Sequence, residues 1–228
     1  MFCQLLRKEK EMRMMLKDRV DGGKKLAERV LHYNGEPGLI VIGLPRGGVI
    51  TAHEVAKALD APLDIVVPRK IGAPFNPELA VGAVTSDGTV LYNEEVMRKL
   101  NVPIDVVDDK AEEEKKEAMR RLDLYRGDRP ELDLNNKTVI LVDDGVATGM
   151  TMKAAIMSIS LRGAKKIIVA VPVLPADTYE NLKEMVDDVQ YVLMPEIFYS
   201  ISQFYEVFPQ TTDEEVVALM DKAKRPKH

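Results

Sequence analysis

One stretch of the chain, residues 139–151, constrains the fold more than any other. It reads V-I-L-V-D-D-G-V-A-T-G-M-T. Four apolar residues are typical of a buried strand, and two adjacent carboxylates follow them. Because Asp143 and Asp144 lie where the chain turns, one or both can reach a ligand at the carboxyl edge of the sheet. The stretch therefore predicts a strand that brings two acids and an anion-sized loop to that edge.

Other short apolar runs predict further strands. They cover residues 39–43, 63–68, 165–171 and 189–194, and a hairpin is predicted at 79–92. Helical patterns separate most of these runs. Crossover helices between apolar strands predict an α/β fold in which a mainly parallel sheet has helices on both faces.

The same patterns predict how the chain is organised. Residues 4–34 are typical of a helical segment with a break. We interpret residues 1–17 as an N-terminal extension, helical or disordered, and residues 18–228 as a single domain. Within it, residues 92–136 form a helical insertion and residues 195–228 a C-terminal hood that ends in a helix. The arginines of the insertion are interpreted as surface residues: Arg120, Arg121, Arg126 and Arg129.

Composition narrows the class of protein. The net charge is -5, with acids and bases interspersed, so no nucleic-acid or membrane surface is expected as a partner. The single cysteine, Cys3, excludes a disulfide within the chain and favours a cytoplasmic location. No apolar run approaches the roughly 20 residues that a membrane-spanning helix needs.

A second loop is predicted at the same edge of the sheet. Residues 44–48, L-P-R-G-G, follow the strand 39–43 and precede a helix predicted to begin at Val49. Backbone N–H groups at a helix start bind anions, glycine lets a ligand approach the backbone, and Arg46 adds a charged donor. A tight structural turn with a surface arginine is an equally good interpretation.

A third loop carries two cations. Arg69 and Lys70 follow the strand 63–68 and precede a loop rich in glycine and proline. On residue type alone, a solvated basic pair is the better interpretation. Because the pair leaves the same sheet edge as the other two loops, we interpret it as a phosphate-binding pair under a mobile lid, residues 72–78.

Two other classes of protein place adjacent acids after an apolar strand. Response-regulator receivers do so near the chain start, whereas Asp143 and Asp144 lie deep in this chain. Walker B strands do so too, but the chain has no G-x-x-x-x-G-K-[ST] loop. Neither class explains the sequence T-G-M-T at 148–151.

Residues 139–151 resemble the phosphoribosyl-pyrophosphate (PRPP) signature of type I phosphoribosyltransferases, in which an apolar strand, an acid pair and three variable residues precede T-G-x-T. From Asp18 to about Leu219 the chain is similar to a family of predicted phosphoribosyltransferases. The charged segment before Met12 lies outside the resemblance. The matching stretches are L-P-R-G-G-V (44–49), P-R-K-I-G-A-P (68–74), N-P-E-L-A-V-G-A-V (76–84), V-D-D-G-V-A-T-G-M-T (142–151) and T-D-E-E-V (212–216).

The resemblance implies a type I phosphoribosyltransferase-like, Rossmann-like fold with a small hood or flap, and a cis peptide not involving proline nitrogen within residues 44–48. It implies a PRPP-dependent transferase of nucleotide metabolism that moves 5-phosphoribosyl to a nitrogenous acceptor, such as a nucleobase, and releases pyrophosphate. Mg²⁺ would arrive with PRPP and would have no direct protein ligand. Asp143 or Asp144 is the candidate for an indirect contact.

Geometry and resemblance together assign roles to residues. The ribose 5-phosphate set is Asp143, Asp144, Gly145, Val146, Ala147, Thr148, Gly149, Met150 and Thr151. The pyrophosphate set is Pro45, Arg46, Gly47, Gly48, Arg69 and Lys70. Asp143, Asp144, Arg69 and Lys70 are the candidate catalytic residues. They are expected to position PRPP and to stabilise charge, and no residue is singled out as general acid or base.

The acceptor site is predicted in the aromatic segment after the last strand. Phe198 is the candidate to stack on a base, with Tyr199 and Gln203 near it. A hydrophobic hood packed on the sheet is an equally good interpretation of these residues.

Two alternatives to the transferase remain open at this point. The first is a non-catalytic regulatory protein that binds PRPP or a nucleotide, and the second is a hydrolase that handles phosphoribosyl groups. The expected partners are PRPP, a small-molecule acceptor and a second copy of the chain in a homodimer, with no nucleic acid and no membrane.

Overall fold

The computed structural model of the protein describes residues 15–223, so the predictions for 1–14 and 224–228 lie outside the described residues. The helices are α1 (Arg19–Val30), α2 (Gly47–Ala58), α3 (Glu94–Leu100), α4 (Ile104–Arg126), α5 (Met150–Leu161), α6 (Ala176–Lys183) and α7 (Asp213–Lys222), with 3-10 turns at Leu31–Tyr33 and Ile201–Phe204. The strands are β1 (Leu39–Gly43), β2 (Leu63–Ile65), β3 (Pro68–Ala73), β4 (Asn76–Thr85), β5 (Val90–Tyr92), β6 (Thr138–Val142), β7 (Lys166–Val173) and β8 (Asp188–Leu193).

Five parallel strands form the main sheet, in the order β2-β1-β6-β7-β8. Every residue of β1 and β6 is buried, as expected of central strands made of Val, Ile and Leu. The two strands are paired so that Gly43 lies beside Val142. From β1 the chain proceeds to β2 on one side, and from β6 to β7 on the other. The order therefore reverses between β1 and β6, and in such sheets ligands bind at that switch point, beyond the carboxyl ends of the strands.

Helices cover both faces of the sheet, which confirms the predicted α/β class. Alternate residues of the central strands enter two cores, because successive side chains of a strand point to opposite faces. One core contains Leu26 of α1, Val55 of α2 and Val216 of α7. The other contains Ile156 of α5 and Leu182 of α6. Within the described range, none of the helices combines the length and the apolar character that a membrane span requires.

A second, antiparallel sheet of β3, β4 and β5 corrects the prediction for the third loop. The predicted strand 63–68 ends at Ile65, and Arg69 and Lys70 lie inside β3 rather than in a loop. The predicted lid, residues 72–78, is the tip of the β3–β4 hairpin. Gly and Pro indicated a loop here, but the pairing of β3 with β4 outweighs those local signals.

The hood is joined to the first residues that the structure describes. The predicted helix 4–34 is wrong for the residues just before Arg19, because Leu16 forms a parallel bridge with Tyr205 there. Leu16 N donates to Phe204 O at 2.8 Å, and Glu206 N donates to Leu16 O at 2.8 Å. Leu16 and Tyr205 are buried in a small core under the hood. The backbone before α1 is therefore an extended partner of the hood.

The surface prediction is wrong for Arg126. Its side chain is 11% exposed, and Nη2 lies 3.2 Å from Oδ1 of Asp64, whose side chain is 5% exposed. Asp64 also accepts from Leu132 N at 3.2 Å. The pair joins the end of α4 and the connector 127–136 to β2, because a buried carboxylate needs a partner for its charge.

Candidate functional site

A cavity of about 180 Å³ lies beyond the carboxyl end of β6, at the switch point of the sheet. Its walls are the acid pair, the loop that follows it and one side chain from the hood. Its lining residues are Asp143, Asp144, Gly145, Val146, Ala147, Thr148, Gly149, Thr151 and Ile201. The structure thus brings together all of the predicted ribose 5-phosphate set except Met150, which is the first residue of α5. We call this space the acid cavity.

The loop of the acid cavity is fixed at three points. Val146 N donates to Val173 O at 3.0 Å, and Thr178 Oγ1 donates to Ala147 O at 2.6 Å. Gly149 has a φ of 76°, a conformation that glycine adopts without strain, and it stands directly before α5. The loop is therefore shaped before any ligand arrives.

The start of α5 is suited to an anion. Its N-cap is Gly149, which has no side chain to accept from the first N–H groups, and its first turn contains no acidic residue. The first N–H groups of a helix have no partner within the helix, and the helix dipole favours negative charge there. This helix start can hold a phosphate through its backbone.

Asp144 is held on both its side chain and its main chain. Its Oδ2 accepts from Nε of Arg19 at 2.6 Å, and its carbonyl oxygen accepts from the Tyr205 hydroxyl at 2.6 Å. Its own N–H donates to Oδ1 of Asp143 at 2.8 Å. Both acids line the acid cavity, but Asp144 is buried whereas Asp143 is half-buried. Asp143 is thus the more exposed of the two acids.

Burial governs the ionisation of the acid pair. It raises the pKa of Asp143 well above the usual carboxyl range, and the Asp144 carboxylate beside it raises that pKa further. Burial also raises the pKa of Asp144, but the Arg19 guanidinium opposes that rise. The pair therefore favours a state in which Asp144 is ionised and Asp143 is the more readily protonated acid.

Gly47 and Gly48 of the second loop lie close against the carboxyl groups of the acid pair. A Cβ on Gly47 would lie 2.0 Å from Oδ2 of Asp144, and one on Gly48 would lie 2.6 Å from Oδ1 of Asp143. Helix α2 begins at Gly47 rather than at the predicted Val49, so its positive end lies against the two carboxyl groups. The acids thus occupy the space that a side chain would fill at both glycines, and the assignment of Gly47 and Gly48 to pyrophosphate stays a prediction.

The remainder of the second loop has two features. The Pro45–Arg46 peptide is cis, which confirms the expectation from the resemblance. Nη1 of Arg46 lies 3.6 Å from Oδ1 of Asp213, the first residue of α7. Arg46 is therefore near the C-terminal helix and at the rim of the same sheet edge.

Arg69 and Lys70, the cations predicted in the third loop, do not lie at the acid cavity. Nε of Arg69 donates to Oε2 of Glu114 on α4 at 2.7 Å. Arg69 and Lys70 line a separate cavity of about 290 Å³ with Lys110 and Glu113. The structure does not bring them to the acid cavity, because β3 carries them onto α4. Their assignment to pyrophosphate stays a prediction.

The candidate acceptor residues are engaged within the hood. Phe198 stacks on Phe204 with ring centroids 5.8 Å apart. The amide of Gln203 accepts from Tyr199 N at 2.9 Å and from Ser200 N at 3.1 Å, and it donates to the Ile197 carbonyl. Tyr199 is 86% exposed. These contacts favour the alternative of a packed hood, and the stacking role of Phe198 stays a prediction.

Arg19 was not among the predicted site residues, although the sequence contained a signal for it. Asp18 caps α1 by accepting from Asp21 N at 2.8 Å, so Arg19 is the first residue of the helix. A cation is unfavourable at that end of the helix dipole. A buried arginine at such a position indicates a specific partner, but the sequence does not identify Asp144 as that partner.

Comparison with known proteins gives a consistent result. The family model described as "Phosphoribosyl transferase domain" matches residues 15–208. The protein TT1426 from Thermus thermophilus has a crystal structure that is 36% identical in sequence, with a TM-score of 0.78, and the match covers 92% of this chain and 99% of that one.

Two curated relatives come from Mycobacterium tuberculosis. They are named "Putative phosphoribosyl transferase MT0597" (strain CDC 1551 / Oshkosh) and "Putative phosphoribosyl transferase Rv0571c" (strain ATCC 25618 / H37Rv). Each is 41% identical over 208 residues, which is 91% of this chain and 47% of the relative. The chain thus spans about half the length of the curated relatives it matches.

The close packing of Gly47 on the acid pair yields a first prediction. Gly47→Ala should lower the free energy of unfolding by about 1–3 kcal/mol, because the new methyl group overlaps the Asp144 carboxyl group. In an Asp144→Ala background the same substitution should cost less, since the overlapping atoms of Asp144 are gone and only Nε of Arg19, 2.6 Å from the new Cβ, remains. Urea unfolding of the four proteins of this cycle measures the coupling. Equal costs in both backgrounds would contradict the contact.

The buried acid pair yields a second prediction, on pH. A carboxyl group whose pKa is higher in the folded than in the unfolded state lowers stability once it ionises. Asp143→Asn should therefore raise the melting temperature above that of the wild type at pH 8. The gain should disappear near pH 4, where Asp143 is protonated in the folded wild type. Thermal unfolding followed by circular dichroism tests this, and a gain independent of pH would contradict it.

Proposed function

The chain belongs to the phosphoribosyl transferase domain family, and from this premise we propose that it transfers a 5-phosphoribosyl group from PRPP to a nitrogenous acceptor. The observation that carries the proposal is the acid cavity. It places two carboxyl groups on one side of a preformed loop and an uncapped helix start on the other. An anionic group and a diol joined in one small molecule match that arrangement.

In this proposal the 5′-phosphate lies at the start of α5. The N–H groups there and the hydroxyls of Thr148 and Thr151 bind its oxygens. The vicinal ribose hydroxyls donate to the acid pair, and chiefly to Asp143, because Asp144 already accepts from Arg19. The pyrophosphate extends across the switch point toward residues 45–48 at the end of β1.

Mg²⁺ fits the residues of this site as a companion of the substrate. Among residues 15–223, no group of three or more His, Cys, Asp and Glu side chains could hold a metal ion. Mg²⁺ commonly keeps several waters and uses one or two carboxylates together with substrate phosphates. When bound, it would neutralise charge on the leaving pyrophosphate. Asp143 is the residue of the acid cavity best placed to contact it through water.

The proposed reaction breaks the bond between C1 of ribose and the pyrophosphate oxygen and forms a bond from C1 to the acceptor nitrogen. Pyrophosphate leaves with the electron pair of the broken bond, and the acceptor nitrogen releases its proton to water. The transition state carries positive charge on the ribose ring, which carboxylates stabilise. The protein contributes orientation, and Ile201 of the hood limits water at the loop by packing on Gly145.

A regulatory protein that binds PRPP without turnover is the second candidate. The observation that favours it is the engagement of two of the three predicted acceptor residues within the hood, where Phe198 stacks on Phe204 and the amide of Gln203 binds backbone groups. The donor half of the site is common to both candidates.

A pyrophosphate-release assay separates the two. The protein with PRPP and Mg²⁺ is offered a panel of purine bases, pyrimidine bases and small amines. Release that depends on one acceptor class supports the transferase. Tight PRPP binding in calorimetry with no release on any acceptor supports the regulatory protein. Absence of PRPP binding contradicts both.

A charge placed at the start of α5 gives a further prediction. Thr151→Asp should stabilise the helix by roughly 0.3–1 kcal/mol through its dipole and yet weaken PRPP binding by about tenfold or more, because the new carboxylate repels the 5′-phosphate. Thr151→Asn is the matched control with the same size and no charge, and it should bind PRPP more tightly than Thr151→Asp. Calorimetric titration measures both. Equal affinities of the two variants would place the phosphate elsewhere.

A further inference from the structure

Arg19 lies between the acid pair and the hood. Its Nε donates to Oδ2 of Asp144 at 2.6 Å, and Nη1 donates to the carbonyl oxygen of Pro209 at 2.7 Å. Its guanidinium carbon lies 3.7 Å from the centroid of the Phe208 ring. The side chain is only 9% exposed. A single buried guanidinium therefore touches the acid pair through one donor and the hood through another donor and one face.

The same hood segment reaches the acid pair a second time. The Tyr205 hydroxyl donates to the carbonyl oxygen of Asp144, and the Tyr205 ring stacks on Phe208 with centroids 4.8 Å apart. Burial raises the pKa of Tyr205, so this hydroxyl stays protonated and remains a donor. Both ends of residue Asp144, its carboxyl group and its carbonyl group, are thus fixed by a network that includes residues 205–209.

The backbone of the segment is also tied to the chain just before α1. Glu206 N donates to Leu16 O at 2.8 Å and Val207 N donates to Lys17 O at 2.9 Å. Arg19 follows closely after these two acceptor residues. The hood, the start of α1 and the acid pair therefore form one connected unit in which Arg19 is the central side chain.

We propose that Arg19 is a positioning residue of the donor site, which fixes the Asp144 carboxylate and couples the acid pair to the hood segment 205–209. This inference rests on the proposed function, since it takes PRPP as the ligand. The two acids then have different roles, because Asp144 is the anchor and Asp143 faces the ribose. Arg19 itself does not line the acid cavity and acts through Asp144.

The charge arrangement explains why an arginine is required. A planar guanidinium has several donors in a fixed geometry, so it can bind a carboxylate and a carbonyl oxygen and stack on a ring at the same time. Lysine keeps the charge but lacks the second directed donor and the flat face. Methionine keeps much of the side-chain volume but has neither the positive charge nor the directed donors. The two substitutions therefore separate charge from geometry.

The chain offers a matched control in Arg126. Its side chain is 11% exposed and pairs with a buried aspartate, Asp64, at 3.2 Å. The Arg19 side chain is 9% exposed and its pair measures 2.6 Å. Removing either arginine leaves a buried carboxylate without its charge partner, which destabilises a protein strongly. Asp64 does not line the acid cavity, so Arg126→Met shows how far lost stability alone changes PRPP affinity.

The test measures PRPP affinity in the presence of Mg²⁺ for the wild type, Arg19→Lys, Arg19→Met and Arg126→Met, at a temperature where all four are folded. Arg19→Met should lose affinity by about 10-fold to 100-fold, the range of one hydrogen bond to a charged group. Arg19→Lys should recover part of that loss, and Arg126→Met should stay within about twofold of the wild type. Wild-type affinity in Arg19→Met, or an equal loss in Arg126→Met, overturns the proposal.

A second measurement needs no ligand. Amide hydrogen exchange at Leu16, Glu206 and Val207 should be faster in Arg19→Met than in Arg126→Met, because only the former releases the hood. Equal exchange in the two variants overturns the coupling. If the wild type fails to bind PRPP while the exchange difference is present, the proposed function fails and the coupling of Arg19 to the hood stands. The two failures are thereby distinguished.

Discussion

Two adjacent carboxyl groups at the end of β6, with Asp144 buried and Asp143 half-buried, are the constraint on which the rest of the site depends. Adjacent buried carboxylates repel each other and lose hydration, and either effect alone would favour protonation. The surrounding structure compensates for them. Arg19 supplies a positive charge to Asp144, and the positive end of α2 lies against both acids because Gly47 and Gly48 have no side chains. The second loop thus stabilises the charge of the acid pair in place of the water that the two carboxyl groups lose.

The hood follows from the same constraint. Arg19 needs partners for its remaining donors and its faces, and residues 205–209 provide a carbonyl group and an aromatic ring. That segment is in turn held by the backbone before α1. The acid cavity is therefore bounded on one side by a unit that contains the first described residues and the segment 205–209, and on the other side by the start of α5. The side with the acid pair depends on side-chain charges, and the side at the start of α5 depends on backbone geometry.

Much of this structure was predictable from local sequence. Residues 139–151 predicted β6, the acid pair, the loop and the start of α5, because an apolar run, two acids and a glycine each have a strong local preference. The helix predicted at the end of the hood is α7, which begins with a capping box of Thr212 and Glu215. Local sequence did not predict the features that depend on contacts between distant parts of the chain. Arg69 and Lys70 lie in β3 because of a strand partner, and Arg126 is buried because of Asp64, 62 residues away. Arg19 contacts a residue 125 positions away. The acceptor, the homodimer and the cytoplasmic location stay predictions.

The central claim is that the acid cavity binds a ribose phosphate, with its phosphate on the start of α5 and its hydroxyls on the acid pair. A crystal structure of the protein with ribose 5-phosphate tests this most directly. We expect phosphate oxygens within hydrogen-bond distance of the N–H groups of residues 148–151 and ribose hydroxyls within hydrogen-bond distance of Asp143. A ribose phosphate bound beside Arg69 and Lys70, with the acid cavity free of it, would contradict the claim.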